Sequence, residues 1–101
     1  MKYHVIADED TVLGFHYAGI EGTVVESPEQ ARRVFREKVA DAAVGIIIMT
    51  ERAAETVGGE VQQIMYQSAR PVIVQIPGPE GPLPSRRSLQ QLIQEAVGIK
   101  L

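Results

Sequence analysis

Residues 43–49 read AVGIIIM, an unbroken apolar run that contains three consecutive isoleucines. A strand with one face in water alternates apolar and polar residues, whereas a strand of a parallel sheet is covered on both faces and is apolar throughout. The run therefore predicts an inner strand of a parallel sheet. Because parallel strands are joined by crossover connections that are usually helical, the rest of the chain should alternate strands with helices.

The flanking sequence shows this alternation. Three further strands are predicted from segments rich in β-branched residues: YHVIA at 3–7, GTVVE at 22–26 and PVIVQI at 71–76. The first helix should begin at about Thr11, and the second at a Ser27 cap followed by Pro28. A third helix should begin after Thr50, with a kink or a break at Gly58-Gly59.

The predicted fold is α/β, a flavodoxin-like or receiver-like four-stranded parallel sheet in the order 2-1-3-4 with helices on both faces. We expect this core to occupy residues 1–77. Residues 78–84, GPEGPLP, are a Pro/Gly linker. Residues 85–101 should form a C-terminal amphipathic helix, with one apolar stripe made of Leu89, Leu92, Ile93, Ala96 and Val97.

Charge and composition exclude several classes of function. Ten basic residues stand against thirteen acidic ones, which gives a net charge of −3 and a pI near 5.3, so no bulk positive field attracts nucleic acid. Cysteine is absent, which excludes disulfides and thiolate metal sites. No apolar run approaches the roughly 20 residues of a membrane span, and the sequence starts without a signal-type segment. We therefore expect a cytoplasmic location.

The acidic cluster Asp8-Glu9-Asp10 follows the first strand, at the edge where α/β sheets bind their ligands. Such carboxylates hold Mg²⁺ in phosphoryl-transfer domains, but a receiver also needs an acceptor aspartate after its third strand. That strand ends at Met49-Thr50, and no fifth strand supplies a lysine. We therefore interpret Asp8, Asp10 and Thr11 as groups that cap and order the first helix. Gly14 weakens that helix unless close packing requires it.

No other motif supports catalysis or cofactor binding. The loop after the first strand, DEDTVLGF, lacks the glycine pattern of a dinucleotide site, and no phosphate-loop motif occurs. His4 and His16 without cysteine are a poor metal set, and no serine lies in a nucleophile-elbow context. We predict no catalytic, cofactor-binding or metal site.

The apolar stripe of the C-terminal helix has two possible uses. It can cover the fourth strand of its own chain, or it can dock on a partner helix, because the Pro-rich linker separates its orientation from that of the sheet. Arg86-Arg87 follow the linker directly. They indicate either a solvated helix start or a contact with an acidic partner surface.

Residues 5–22, VIADEDTVLGFHYAGIEG, resemble the opening of the small F subunit of V-type and A-type rotary ATPases. In that family a first strand leads into D-x-[DE]-T, a Gly-Phe pair and A-G-[IL]. The matching residues here are Asp8, Asp10, Thr11, Gly14, Phe15, Ala18, Gly19 and Ile20. The segments IIIMTERAAE, PVIVQIPG and VGIKL also resemble family members, so that the resemblance covers nearly the whole chain.

The resemblance implies a non-catalytic rotor subunit in the central stalk of a rotary ATPase that is peripheral to the membrane. It implies binding to the coiled-coil D subunit, torque transmission, and modulation of ATP hydrolysis by the catalytic A/B head, coupled to proton or sodium transport. On this interpretation the partner-binding residues are Arg86, Arg87, Leu89, Leu92, Ile93, Ala96 and Val97. The alternatives are a receiver-like signalling domain and a small-ligand-binding regulatory domain.

Overall fold

The computed structural model describes residues 1–67, 70–79 and 81. Strands and helices alternate along this part of the chain. The elements are β1 (Lys2–Ala7), α1 (Glu9–Tyr17), β2 (Glu21–Val24), α2 (Pro28–Ala40), β3 (Val44–Thr50), α3 (Glu51–Val57), α4 (Gly59–Gln67) and β4 (Val72–Ile76).

The four strands form one parallel sheet in the order β2-β1-β3-β4. This confirms the predicted fold class and strand order. Val5 of β1 lies opposite Gly22 of β2 on one side and opposite Ile48 of β3 on the other, and Ile48 in turn lies opposite Val74 of β4. β1 and β3 are therefore the inner strands, and β4 forms one edge.

The main hydrophobic core lies between the sheet and the helices α2, α3 and α4. Alternate residues of the inner strands, Ile6, Ile47 and Met49, are fully buried on this face. Their partners from the helices and from β4 are Ala31, Val34, Phe35, Ala53, Ala54, Val57, Val61 and Ile73. Burial of one large side chain such as Phe35 contributes about 1.5–3 kcal/mol, so this face carries most of the stability.

The opposite face of the sheet is covered by α1 over β1 and β2. Gly22 allows this close packing, because a Cβ at that position would lie 3.0 Å from Cγ1 of Val12 and 3.1 Å from the carbonyl oxygen of Val5. Over β3 and β4 the described helices leave this face largely uncovered. Val72 and Val74 are 52% and 41% exposed there.

The predicted starts of α2 and α3 are confirmed. Oγ of Ser27 accepts a hydrogen bond from the backbone N–H of Gln30 at 3.2 Å, while the Gln30 side chain accepts one from the N–H of Glu26 at 2.9 Å. This is close to a capping box, displaced by one residue. Oγ1 of Thr50 accepts from the N–H of Ala53 at 3.2 Å and begins α3 in the same way.

The predicted interruption at Gly58-Gly59 is a complete break between α3 and α4. Gly58 has φ 83° and ψ −141°, a region that residues with a Cβ rarely occupy. Its N–H donates to the carbonyl oxygen of Ala54 at 3.0 Å and closes α3. The chain then turns and α4 packs against β4.

Most of the predicted linker and all of the predicted C-terminal helix, residues 85–101, lie outside the described residues. Within 78–84 the structure describes 78, 79 and 81, where the N–H of Gly81 donates to the carbonyl oxygen of Gly78 at 2.9 Å in a turn. The division of the chain into core, linker and helix therefore stays a prediction.

Substituting each glycine of the break separates the role of Gly58 from that of its neighbour. Gly58→Ala should lower the free energy of unfolding by about 1–3 kcal/mol, because the added Cβ is strained at this φ and ψ. In Gly59→Ala the added Cβ meets no atom within 4 Å and the backbone lies outside the positive-φ region. This control should be neutral or more stable by about 0.4–1 kcal/mol. Urea denaturation measures both, and equal losses would contradict the assignment.

Candidate functional site

A cleft of about 530 Å³ opens at the carboxyl edge of the sheet, between the loops that follow β1 and β3. The strand order reverses here, because the chain leaves β1 toward β2 on one side and returns to β3 on the other. Open α/β sheets bind ligands at this position. The residues that line it include Asp8, Ser27, Pro28, Thr50, Arg52 and Gly78.

Asp8 uses both carboxylate oxygens on the start of α1. The backbone N–H of Thr11 donates to Oδ2 at 3.1 Å, and the hydroxyl of Thr11 donates to Oδ1 at 2.7 Å. Asp8 has an extended backbone, with φ −71° and ψ 169°, and is the N-cap of α1. Of the residues predicted to order this turn, the structure brings Asp8 and Thr11 together.

The predicted start of α1 at Thr11 is wrong by two residues, because the helix begins at Glu9. β1 ends at Ala7, so Asp8 is the first residue that combines an extended backbone with a side chain able to reach the free N–H groups. Asp10 lies in the first turn, where its charge complements the helix dipole. A Cβ at Gly14 would meet no atom within 4 Å, so close packing does not require that glycine.

The other two helix starts at this edge also use their own polar side chains. Ser27 and Thr50 accept from the first turns of α2 and α3, as described above. In the part of the chain that the structure describes, no buried side-chain nitrogen or oxygen lacks a hydrogen-bond partner. Asp8, Ser27 and Thr50 thus face the cleft from three helix starts, and their hydrogen bonds stabilise those starts.

His4 is buried on the α2 side of the sheet, where Nε2 lies 2.8 Å from Oγ1 of Thr23. Burial lowers the pKa of His4, and the positive charge of Lys38 lowers it further. The carboxylates of Glu21, Glu37 and Asp41 act in the opposite direction but are weaker. His16 lies on exposed α1. Among the described residues no group of three or more potential ligands that could hold a metal ion includes either histidine.

One apolar surface was not recognised as a separate feature in the sequence. Tyr3 of β1 lies opposite Ile46 of β3, which lies opposite Val72 of β4, and the next row of the same face contains Ile48 and Val74. We call these five residues the open face. Tyr3, Val72 and Val74 are between 41% and 52% exposed, and the two isoleucines are half-buried. The signal was present in PVIVQI, which carries apolar residues on both faces of β4.

Known proteins share the sequence pattern that produces this fold. The family model of the ATP synthase (F/14-kDa) subunit matches residues 4–93. The chain belongs to this family. It is therefore an F subunit of the A-type and V-type ATP synthases, and part of a multi-subunit complex.

Individual relatives of this F subunit agree with the family match. The F subunit of the A-type ATP synthase of Pyrococcus abyssi is 38% identical over 106 residues, which cover 100% of this chain and 98% of the relative. That of Methanothermobacter thermautotrophicus is 34% identical over 99 residues, which cover 96% and 92%. In Archaeoglobus fulgidus, the crystal structure of the V-type ATP synthase's F subunit superposes with a TM-score of 0.67. At 22% identity, covering 74% of this chain and 95% of that one, it supports the fold.

Among residues 1–67, 70–79 and 81 of this F subunit, no helix has the length and apolar character needed to cross a bilayer.

Removing the cap of α1 should cost more than removing the neighbouring acid. Asp8→Ala deletes the acceptor of both Thr11 hydrogen bonds and should lower the free energy of unfolding by about 0.5–2 kcal/mol. Asp10→Ala removes the same charge without removing the cap, and should cost at most about 0.5 kcal/mol. Thermal and urea denaturation of the two variants check this. A larger loss in Asp10→Ala would contradict the assignment of the cap.

The buried His4 should make stability fall in mild acid. Because its pKa is lower in the folded state than the ordinary 6.5, the unfolded chain binds more protons, and stability is lost as the pH falls through about 6.5. In His4→Gln this part of the pH dependence should disappear. Urea denaturation between pH 8 and pH 5 measures it, and parallel pH profiles for both proteins would show that His4 is not responsible.

Proposed function

We propose that this F subunit is a non-catalytic component of the rotor, in the central stalk of an A/V-type ATPase. It binds the coiled-coil D subunit and takes part in torque transmission and in modulation of ATP hydrolysis by the catalytic A/B head, coupled to proton or sodium transport. It works on the cytoplasmic side, peripheral to the membrane. The observation that carries the proposal is the family match over residues 4–93.

The chemistry of the carboxyl edge supports a non-catalytic role. In a receiver, the cleft at this edge uses carboxylates for a metal ion and for phosphoryl transfer. Here both oxygens of Asp8 accept hydrogen bonds from Thr11, and the end of β3 is Thr50, whose hydroxyl caps α3. The groups at the receiver positions therefore stabilise helix starts.

The connections between the helices suit a part that transmits torque. Arg36 of α2 forms a two-pronged ion pair with Glu60 of α4 through its Nε and Nη2 atoms. Nη1 of Arg32 also donates to the carbonyl oxygen of Thr56 at 3.4 Å. Both contacts join helices on the same side of the sheet, beside the buried core. Such a body is displaced as a unit when force is applied at one surface.

The size of a stable interface indicates that more than the C-terminal stripe contacts the D subunit. Specific interfaces bury about 1,200–2,000 Å² in total, and the five apolar residues of the stripe supply only part of this area. The outer surface of α1 is a candidate for the remainder, because Leu13 and Tyr17 lie one turn apart and are exposed.

The class of function is tested by isolating the tagged protein from native membranes. Recovery of the A/B head and the D subunit with it would support the proposal. Absence of both from a preparation in which the ATPase remains intact would contradict it.

Charge in the C-terminal stripe should weaken the complex. Leu92→Glu combined with Ile93→Glu should reduce affinity for the D subunit at least tenfold, because two apolar contacts become buried charges. Gln91→Glu combined with Gln94→Glu adds the same charge on the opposite side of the predicted helix and should change affinity little. Titration calorimetry measures both, with circular dichroism to verify that the core stays folded. Equal affinities for the two double variants would exclude the stripe from the interface.

A further inference from the structure

The open face requires a covering element. Inner and edge strands of parallel sheets are ordinarily covered on both faces, and contiguous exposed apolar surface marks a docking site. α1 lies over β1 and β2 on this side, while α3 and α4 pack on the other face of β3 and β4. In the described part of the chain, the space above β3 and β4 beside α1 is therefore vacant.

We propose that the open face is the docking site of the chain's own C-terminal segment, residues 85–101, whose stripe packs on it as a helix. The occupant is identified by where it starts, by its length and by its charge. The docking is a property of the isolated chain and does not depend on whether the D subunit binds the same stripe.

The course of the chain brings the segment to the open face. β4 ends at Ile76 at the carboxyl edge, and the turn at Gly78 and Gly81 follows at once. The opposite face of β4 is already occupied by α4, where the side-chain amide of Gln75 donates to Sδ of Met65 at 3.7 Å. A helix that begins near this edge can return over β4 on the vacant side.

The length of the segment matches the surface. Seventeen residues of α-helix extend about 25 Å, and the seven residues of β3 extend about 23 Å. In an antiparallel return the start of the stripe, Leu89, lies near the end of β4. Ile93 then lies near Val74, and Val97 lies near Val72.

Charge complements this placement. Residues 82–101 contain three basic residues and one acidic residue, whereas residues 1–81 contain seven basic and twelve acidic residues. Arg86-Arg87 begin the segment at the same edge of the sheet where α1 begins. The first turn of α1 presents Glu9 and Asp10, both exposed, on the side of the sheet that the segment would cover. The two charged groups therefore meet when the stripe docks.

The absence of cysteine allows a direct test by disulfide formation in the full-length chain without its partners. The variant Val74→Cys with Ile93→Cys should form an intramolecular disulfide under mild oxidation, detected by intact mass and by non-reducing electrophoresis. The control Gln63→Cys with Ile93→Cys places the first thiol on the exposed side of α4. We expect the first pair to react at least tenfold faster than the control.

Two results would overturn the proposal. Equal rates for the two pairs would show that the segment samples both sides of the sheet without docking. Crosslinking of the 74–93 pair between molecules, in covalent dimers, would show that a second copy occupies the open face.

A second measurement protects the test against altered cysteine reactivity. In ¹H–¹⁵N spectra of the isolated chain, Leu92→Glu with Ile93→Glu should shift the amide signals of Tyr3, Val72 and Val74, and leave those of α2 unchanged. Unchanged signals on the open face would contradict docking. A chain that passes both tests but does not bind the D subunit would overturn the proposed function and leave this inference standing.

Discussion

The fold depends on the parallel pairing of β1 with β3. This pairing places Ile6 beside Met49 in the core and makes both strands inner strands of the sheet. It also brings the ends of the two strands to one edge, so that the helices after them start side by side. The cleft and its three helix caps follow from this one contact, because each cap residue lies just before its helix and within a few residues of a strand end.

The same edge explains how a fold widely used for ligand binding can serve a mechanical subunit. A helix start leaves backbone N–H groups unpaired, and these either attract an anionic ligand or are satisfied by a side chain. In this chain Asp8, Ser27 and Thr50 satisfy them. The resulting cleft is a by-product of strand order, and its polar groups contribute to rigidity.

The sequence was sufficient to predict the fold class, because an apolar run such as 43–49 and helix caps such as Ser27 are local signals with few alternatives. The start of α1 was predicted less well, since three of the four residues from Asp8 to Thr11 can cap a helix and the end of β1 decides between them. The role of Gly22, which lets α1 approach the sheet, depends on a contact with Val12 that no local pattern shows. The partial cover of one sheet face also depends on where whole helices pack.

The open face and the C-terminal stripe are best understood together. An apolar edge strand such as β4 is exposed to association with other chains unless something covers it. A stripe of five apolar residues on the same chain likewise requires a partner. If the stripe covers the open face in the unbound protein, the same residues cannot contact the D subunit at that moment. Binding to the stalk would then uncover Val72 and Val74, and the exposed sheet face would itself become available as part of the interface.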